Sequence, residues 1–446
     1  MARRYFGTDG IRGRVNTPPM TAETALRLAI AAARTFAPNG GREVVIGRDT
    51  RRSGDMIEAA LVAGLTSMGL KPVLLGIVPT PTVALMTRET GAALGLMISA
   101  SHNKAEDNGL KLFSPDGIKL TDAEEEAIEA GMATAFEGDF AAPPAIATPH
   151  RMTGATTLYL ERCLETVGTD IDFSGLKIVL DCAHGAAFEV GPTALRRLGA
   201  DLTIIGDRPD GLNINAGVGS TSTDRLKSTV IQSGADIGIA FDGDADRVIV
   251  IDELGAEVDG DQVMALIAGE LHRSGRLTGG GMVATIMSNM GLAEYLKGLN
   301  LTLARTRVGD RYVGEHMRQH GFNLGGEQSG HIILSDVSTT GDGLLAALQI
   351  LKTVASSDRP ASDVLRVFDP APQELVNVRF NGKNPMDTDS VKGALAEAGE
   401  MLGDRGRMVV RKSGTEPLIR VMAEALDKDL MQRALSRVVT AVEAEA

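Results

Sequence analysis

The chain has 446 residues, 43% of them hydrophobic and 23% charged, and Asp plus Glu outnumber Lys plus Arg by 58 to 45 for a formal net charge of −13. That length exceeds one ordinary core and points to roughly three or four domains, and the acidic balance argues against bulk attraction to nucleic acid or anionic membranes. Trp is absent and aromatics are 3%, which implies aliphatic cores and speaks against the stacking platforms of a single-strand nucleic-acid binder. The opening MARRYFGTDG shows no apolar signal-peptide core, and no apolar run approaches a membrane span. Cys163 and Cys182 form neither a metal-type pair nor a disulfide scaffold, and Cys182 closes the apolar run KIVLDC as a buried thiol would. These features fit a cytoplasmic enzyme with no membrane partner.

Residues 21–37 carry helical apolar spacing. REVVIGRD reads as a strand, GDMIEAALVAGLTSMGL as a helix, and PVLLGIV and GLMISAS as strands. The order restarts with the strands KIVLDCAHG, DLTIIGD and DIGIAFDGDADRVIVID, separated by helical GPTALRRLG and TDRLKSTVIQSG. It restarts again with helical GDQVMALIAGELHRSG, strand-like MVATIMSN, LTLARTRVG and NLGGEQSGHIIL, and helical TGDGLLAALQILKTVASS. Apolar strands separated by helices signal largely parallel sheets covered on both faces. The expected organisation is α/β, with three similar units at 1–150, 151–254 and 255–368 and an α+β unit at 369–446. The joints are AAPPAIATPH (141–150), the turn at Asp252–Gly255, and the polar stretch 356–374.

Ligands of parallel α/β sheets bind beyond the carboxyl ends of strands, and each unit runs one strand into a polar loop there. In the first, ISASHNKAEDNGLKLF, Ser101 follows an apolar strand, with His102 adjacent and Lys111 ten residues on. A serine nucleophile needs a proton acceptor and positive charge to draw in an anion, and these two side chains could supply both. In the second, FDGDADRVIV, Asp242, Asp244 and Asp246 alternate. On an extended backbone all three point to one side, about 7 Å apart, and each neighbouring pair repels by roughly 2 kcal/mol unless a cation intervenes. Oxygen-only ligands favour Mg²⁺. Asp242, Asp244, Asp246 and Glu253 also match EF-hand spacing, but Arg247 stands where glycine is required. Arg247 instead suits a phosphate oxygen. In the third, GGEQSGHI, Glu327, Ser329 and His331 alternate, a set suited to sugar hydroxyls. A fourth loop, RKSGTEPLIR, offers Arg411, Lys412, Ser413, Gly414, Thr415 and Arg420 to a phosphate without a Walker pattern. The N-terminal FGTDGIRG adds Arg12.

These five motifs, in this order over essentially the whole chain, resemble the α-D-phosphohexomutase superfamily, and the forms FGTDGIRG and GEQSGH look like its glucosamine branch. The resemblance implies four domains around a central cleft, each supplying one loop. It makes Ser101 the phosphoserine, with Asp242, Asp244, Asp246 and a Ser101 phosphate oxygen holding one Mg²⁺ per chain. It makes His102 and Lys111 catalytic, Lys111 as the proton-transfer group provided burial and nearby cations lower its pKa. Arg12 and Arg247 lie near the reacting phosphate. Glu327, Ser329 and His331 bind the sugar, and Arg411, Ser413, Gly414, Thr415 and Arg420 bind the distal phosphate. The implied reaction interconverts glucosamine 6-phosphate and glucosamine 1-phosphate through a 1,6-bisphosphate. A hexosamine or glucose 1,6-bisphosphate would be the activator, the protein a monomer or homodimer, and the product a precursor for UDP-N-acetylglucosamine and cell wall. The glucose and mannose branches are the alternatives, followed by a phosphatase with Asp242 as nucleophile and a non-catalytic sugar-phosphate sensor. One residue departs from the pattern: the family usually has Pro after ASHN, where this chain has Lys104, so the serine loop is expected to be more mobile.

Overall fold

The structure, a computed structural model, describes residues 5–7, 9–381, 384–412 and 418–446. Its strands form four sheets. The first runs in the order Ile11–Arg14, Asp107–Phe113, Leu94–Ile98, Glu43–Arg48, Lys71–Ile77, His150–Arg151. The second runs Glu257–Val258, Val248–Asp252, Ile237–Phe241, Lys177–Asp181, Asp201–Ile205. The third runs Thr302–Thr306, Gly281–Thr285, Leu324–Gly326, Ile332–Leu334. The fourth is antiparallel throughout, with Leu418–Ala425 between Gln373–Arg379 and Gly406–Lys412.

The first three sheets repeat one arrangement. A buried strand pairs in parallel with the unit's central strand on one side and turns back as an antiparallel neighbour on the other. The buried strands are Leu94–Ile98, Ile237–Phe241 and Leu324–Gly326, and every residue in them is buried. Coverage on both faces explains why LGLMI and IGIAF are apolar throughout instead of alternating. The connection that turns back is the chemistry-bearing loop in each unit: residues 99–106, 242–247 and 327–331.

Helices flank the sheets, and small side chains let them approach closely in a chain so poor in aromatics. Ala22–Phe36 is capped by Thr21, whose side chain accepts from Thr24 N, and it packs against Ser53–Ser67 through Ala29 and against Asp122–Ala133 through Ala31. A Cβ on Gly64 of that second helix would lie 2.6 Å from the Ala29 Cβ.

The second and third units share one continuous core that includes Leu180, Phe241, Met264, Leu324 and Leu344. The fourth unit has its own, built from Val378, Val391, Ile419, Val421 and Leu435. The turn at Asp252–Gly255 closes a hairpin at the edge of the second sheet. Asp252 N donates to Ala256 O, and Glu257–Val258 pairs back onto Val250 and Ile251. The strand His150–Arg151 likewise carries the first sheet past residue 150. Cys163 and Cys182 are both buried and unpaired, and among the described residues no helix is long and apolar enough to cross a membrane.

Polar contacts tie the units together. Tyr159 OH donates to Asp342 Oδ1 at 2.7 Å between the second and third. Thr50 Oγ1 donates to His184 O at 2.6 Å between the first and second. Arg407 donates to Ser288 O, and Met290 N donates to Glu424 Oε2 at 3.1 Å, between the third and fourth. Between the first and third, buried Arg311 reaches Asp122 Oδ1 at 2.7 Å and Glu125 Oε2 at 2.9 Å. Losing one member of such a buried pair leaves charge poorly compensated in a low dielectric. Arg311→Met should therefore lower the thermal midpoint, at a cost of roughly 3 kcal/mol in urea unfolding. An unchanged midpoint would mean that the first and third units do not lean on this contact.

Candidate active site

The three hairpin loops converge on one point. Ser101 sits at the end of the strand Leu94–Ile98 in a turn closed by Asn103 N donating to Ala100 O at 3.1 Å. Its φ is +52°, a left-handed conformation that costs a non-glycine residue about 1–3 kcal/mol and persists only where surroundings enforce it. Ser101 Oγ donates to Asp242 Oδ2 at 2.6 Å and lies 3.3 Å from His102 Nδ1. Burial, with Arg247 and Arg12 adding to it, pushes the His102 imidazole down to about 4.

Asp242, Asp244 and Asp246 present carboxylate oxygens all within 4.8 Å of one another, and all three residues are buried. The closeness comes from a turn and not from the extended backbone expected: Ala245 has φ +56° and its N donates to Asp242 O. At this spacing each pair repels by roughly 3 kcal/mol at an effective dielectric of 20, more than the wider spacing implied. Burial, then Asp246 and Asp244, push the Asp242 carboxyl well above its usual range. Thr80 holds Asp244 from the first unit, its Oγ1 donating to Oδ2 at 2.6 Å and its N to the carbonyl at 2.9 Å.

Two features answer this negative charge. Lys111 Nζ lies 2.7 Å from both Asp244 Oδ2 and Asp246 Oδ2. Asp244 Oδ1 and Asp246 Oδ1, in contrast, are buried without a hydrogen bond. Hard carboxylate oxygens left without a hydrogen bond beside a third carboxylate suit a small divalent cation such as Mg²⁺. The donor set therefore fits the metal that the motif suggested.

Lys111 belongs to a closed ring of alternating charge. Its Nζ lies 3.3 Å from Asp9 Oδ2, and Asp9 Oδ1 is 2.6 Å from Lys119 Nζ. Lys119 pairs with Asp310, whose Oδ2 is 3.0 Å from His331 Nε2. His331 Nδ1 is 3.6 Å from Asp246 Oδ1, and Asp246 closes the ring on Lys111. Burial alone would lower Lys111, but Asp244, Asp246 and Asp9 hold it well above its usual range. Burial would also lower His331, but Asp310 and Asp246 raise it to about 10. Burial would raise Asp9, but Lys111, Lys119 and Arg12 hold it well below.

Two expectations change here. Lys111 was to have its pKa lowered by burial and nearby cations; Asp244, Asp246 and Asp9 instead raise it. His331 was to face sugar hydroxyls; its side chain is 2% exposed and held between two carboxylates.

The remaining candidates surround this centre. Arg12 pairs with Asp9. Arg247 N donates to Asp242 Oδ1 at 3.2 Å, and its Nε is 3.8 Å from Asp246 Oδ1. Glu327 is oriented by Gly309 N donating to Oε1 at 3.0 Å, and Ser329 is exposed. Arg411 and Arg420 are cross-strand partners in the fourth sheet. Arg411 is pushed down by burial and by Arg420, while the charge of Glu327 acts on it in the opposite direction. That coupling puts the sugar-type loop of the third unit within electrostatic reach of the fourth. Ser413, Gly414 and Thr415 lie outside the described residues.

Asp9, Lys119 and Asp310 join the site without having been singled out by sequence. Asp9 lies inside the FGTDGIRG motif, which pointed to Arg12 alone. Lys119 and Asp310 stand in unremarkable surroundings, and only the fold brings together residues 191 positions apart.

Three α/β units, each offering one turn-back loop to a shared charged centre with a buried serine, define an enzyme of the phosphohexomutase type. The chain belongs to the phosphoglucomutase/phosphomannomutase family. It matches α/β/α domain I over residues 3–139, domain II over 154–255, domain III over 259–370 and the C-terminal domain over 375–441. A Hyphomonas neptunium protein described as phosphoglucosamine mutase is 74% identical over 446 residues, covering 100% of this chain and 99% of that one. Its Caulobacter vibrioides counterpart, of the same description, is 54% identical over 444 residues, 99% of each. Among solved structures, a Burkholderia thailandensis phosphoglucomutase/phosphomannomutase family protein superposes with a TM-score of 0.83 at 23% identity, covering 98% of this chain and 97% of that one. Aspergillus fumigatus N-acetylphosphoglucosamine mutase, solved with GlcNAc-6P and magnesium, gives 0.59 at 20% identity over 99% and 96%.

A cation that binds the folded carboxylates stabilises the fold by mass action. Titrating Mg²⁺ into the protein should raise its thermal midpoint saturably, and Asp244→Asn should abolish the rise. A wild-type midpoint indifferent to Mg²⁺ would contradict a cation site.

Proposed function

We propose that the protein is a phosphoglucosamine mutase that interconverts glucosamine 6-phosphate and glucosamine 1-phosphate, carrying the transferred phosphoryl group on Ser101. The observation that carries this reading is the Ser101 hydroxyl 2.6 Å from Asp242, inside a buried three-carboxylate cluster. The relatives described as phosphoglucosamine mutases, which span essentially the whole chain, support the choice of sugar.

In the first half-reaction, O1 of glucosamine 6-phosphate attacks phosphorus on phospho-Ser101. The O1–P bond forms, the Oγ–P bond breaks, and the proton lost by O1 ends on Oγ. His102 Nδ1, 3.3 Å from Oγ, is within reach to hold that proton in passage. The 1,6-bisphosphate turns over in the site. Ser101 Oγ then takes the 6-phosphoryl group, its proton passing to O6, and the 1-phosphate leaves. Lys111 Nζ, 2.7 Å from Asp244 Oδ2 and Asp246 Oδ2, supplies positive charge beside the carboxylate cluster. Arg12 and Arg247 meet the charge on the transferring phosphoryl group, because phosphoryl transfer depends mostly on positioning and charge stabilisation. Glu327 and Ser329 orient the sugar, and Arg411 and Arg420, with Ser413, Gly414 and Thr415, hold the phosphate that is not reacting.

One Mg²⁺ would be held by Asp242, Asp244, Asp246 and a phosphate oxygen on Ser101, supplying charge neutralisation at the transferred group. A hexosamine or glucose 1,6-bisphosphate would load Ser101 and act as activator. We take the protein to be a monomer or homodimer. We place it in the cytoplasm, where its two unpaired thiols would remain reduced.

Intact-mass spectrometry tests the reading. Purified protein should carry the mass of one phosphoryl group, and Ser101→Ala should lose both that mass and activity, by roughly 10³-fold or more. The same assay should give a higher kcat/KM for glucosamine 6-phosphate than for glucose or mannose 6-phosphate. The reverse order would move the protein to another branch of the family.

A further inference from the structure

The serine loop lacks the proline expected to stiffen it, yet its backbone is held from two domains. Arg51 is fully buried in the first unit and pairs with Asp49, which also accepts from Arg51 N at 2.9 Å. Arg51 Nη2 donates to Ser101 O at 3.2 Å and also to Asn103 O. Asn215 of the second unit, itself 5% exposed, aims its Nδ2 at the same two carbonyls, 2.9 Å from Ser101 O and 2.8 Å from Asn103 O. Two donors and two acceptors thus close a square. A fifth contact, Ser101 N donating to Ser99 Oγ at 2.9 Å, fixes the other side of the serine.

The neighbours are built to permit this. Asn215 has φ +56° and is anchored by its N donating to Ala183 O at 2.9 Å. A Cβ on Gly243, in the carboxylate loop, would fall 2.6 Å from Ser101 O and 2.8 Å from Asn215 Nδ2. The glycine therefore lets serine loop, carboxylate loop and Asn215 share one space. With both carbonyls pinned inward, the Ser101 hydroxyl is left directed at Asp242.

We propose that Arg51 and Asn215 are positioning residues that lock the serine loop in its left-handed turn, and that Asn215 supplies across the domain boundary the stiffness that Lys104 does not. This rests on Ser101 as the phosphoryl carrier. It also explains why Lys104 is tolerated: with its carbonyls held, the loop has no need of a fixed φ at 104. Lys104 N makes no hydrogen bond among the described residues, so a proline there removes none.

The test is a rescue. Asn215→Ala should lower kcat roughly 10-fold or more with KM changed little, as expected when the reacting group is misplaced and binding is not. Adding Lys104→Pro to Asn215→Ala should recover most of the loss, while Lys104→Pro alone should leave kcat near wild type. Hydrogen exchange at residues 100–107 gives a second readout that needs no turnover: faster in Asn215→Ala, slower again with Lys104→Pro. Should Asn215→Ala fail to fold, Asn215→Asp, of the same shape but facing two carbonyls with an acceptor, is judged by the same criteria. An unchanged kcat with unchanged exchange overturns the proposal, and so does a loss that Lys104→Pro does not relieve. If wild-type protein carries no phosphoryl group on Ser101, the carrier reading fails; the exchange pattern then judges the clamp by itself.

Discussion

Three carboxylates from one short loop, buried with their oxygens within 4.8 Å of one another, cannot share a site without positive charge around them. Much of the surrounding structure answers that constraint. Lys111 takes one oxygen each from Asp244 and Asp246. Thr80 and Ser101 donate to Asp244 and Asp242. The Asp9, Lys119, Asp310 and His331 ring extends the compensation across the first and third units. The two carboxylate oxygens left without hydrogen bonds are what a divalent cation would take up. An acidic protein that handles anionic sugar phosphates must generate its attraction locally, and here it does so by surrounding a negative loop with cations from other segments.

The fold makes this assembly possible by repeating one device. In each of the first three sheets a fully buried strand turns back on itself as an antiparallel neighbour, and the connection carries the functional side chains. Such loops are anchored at both ends by ladder hydrogen bonds, which suits side chains that must be held rigidly. The fourth unit differs. Its sheet is antiparallel, its core is separate, and its polar contacts with the third unit gather around Met287–Met290.

The three α/β units are legible in the order of apolar runs, because strands buried on both faces leave a continuous signature in the chain. That Ser101 and the three aspartates come together is legible because Ser101 follows an apolar strand and the aspartates alternate in a loop between buried strands. Other features are not. Lys111 and its partners Asp244 and Asp246 lie 133 and 135 positions apart and meet only in the fold. Lys119 and Asp310 lie far apart in sequence and meet only in the fold. The loss of proline at position 104 reads as a looser loop, whereas the compensating contact comes from another domain through Asn215.

The central claim is that one serine oxygen both gives and takes the phosphoryl group. Protein isotopically labelled in the phosphate on Ser101, mixed with a single equivalent of glucosamine 6-phosphate and quenched within one turnover, tests this most directly. The account predicts that the label leaves the protein and appears at position 1 of the hexosamine bisphosphate and then of the monophosphate product. Product formed at the native rate with all the label retained on the protein would contradict it.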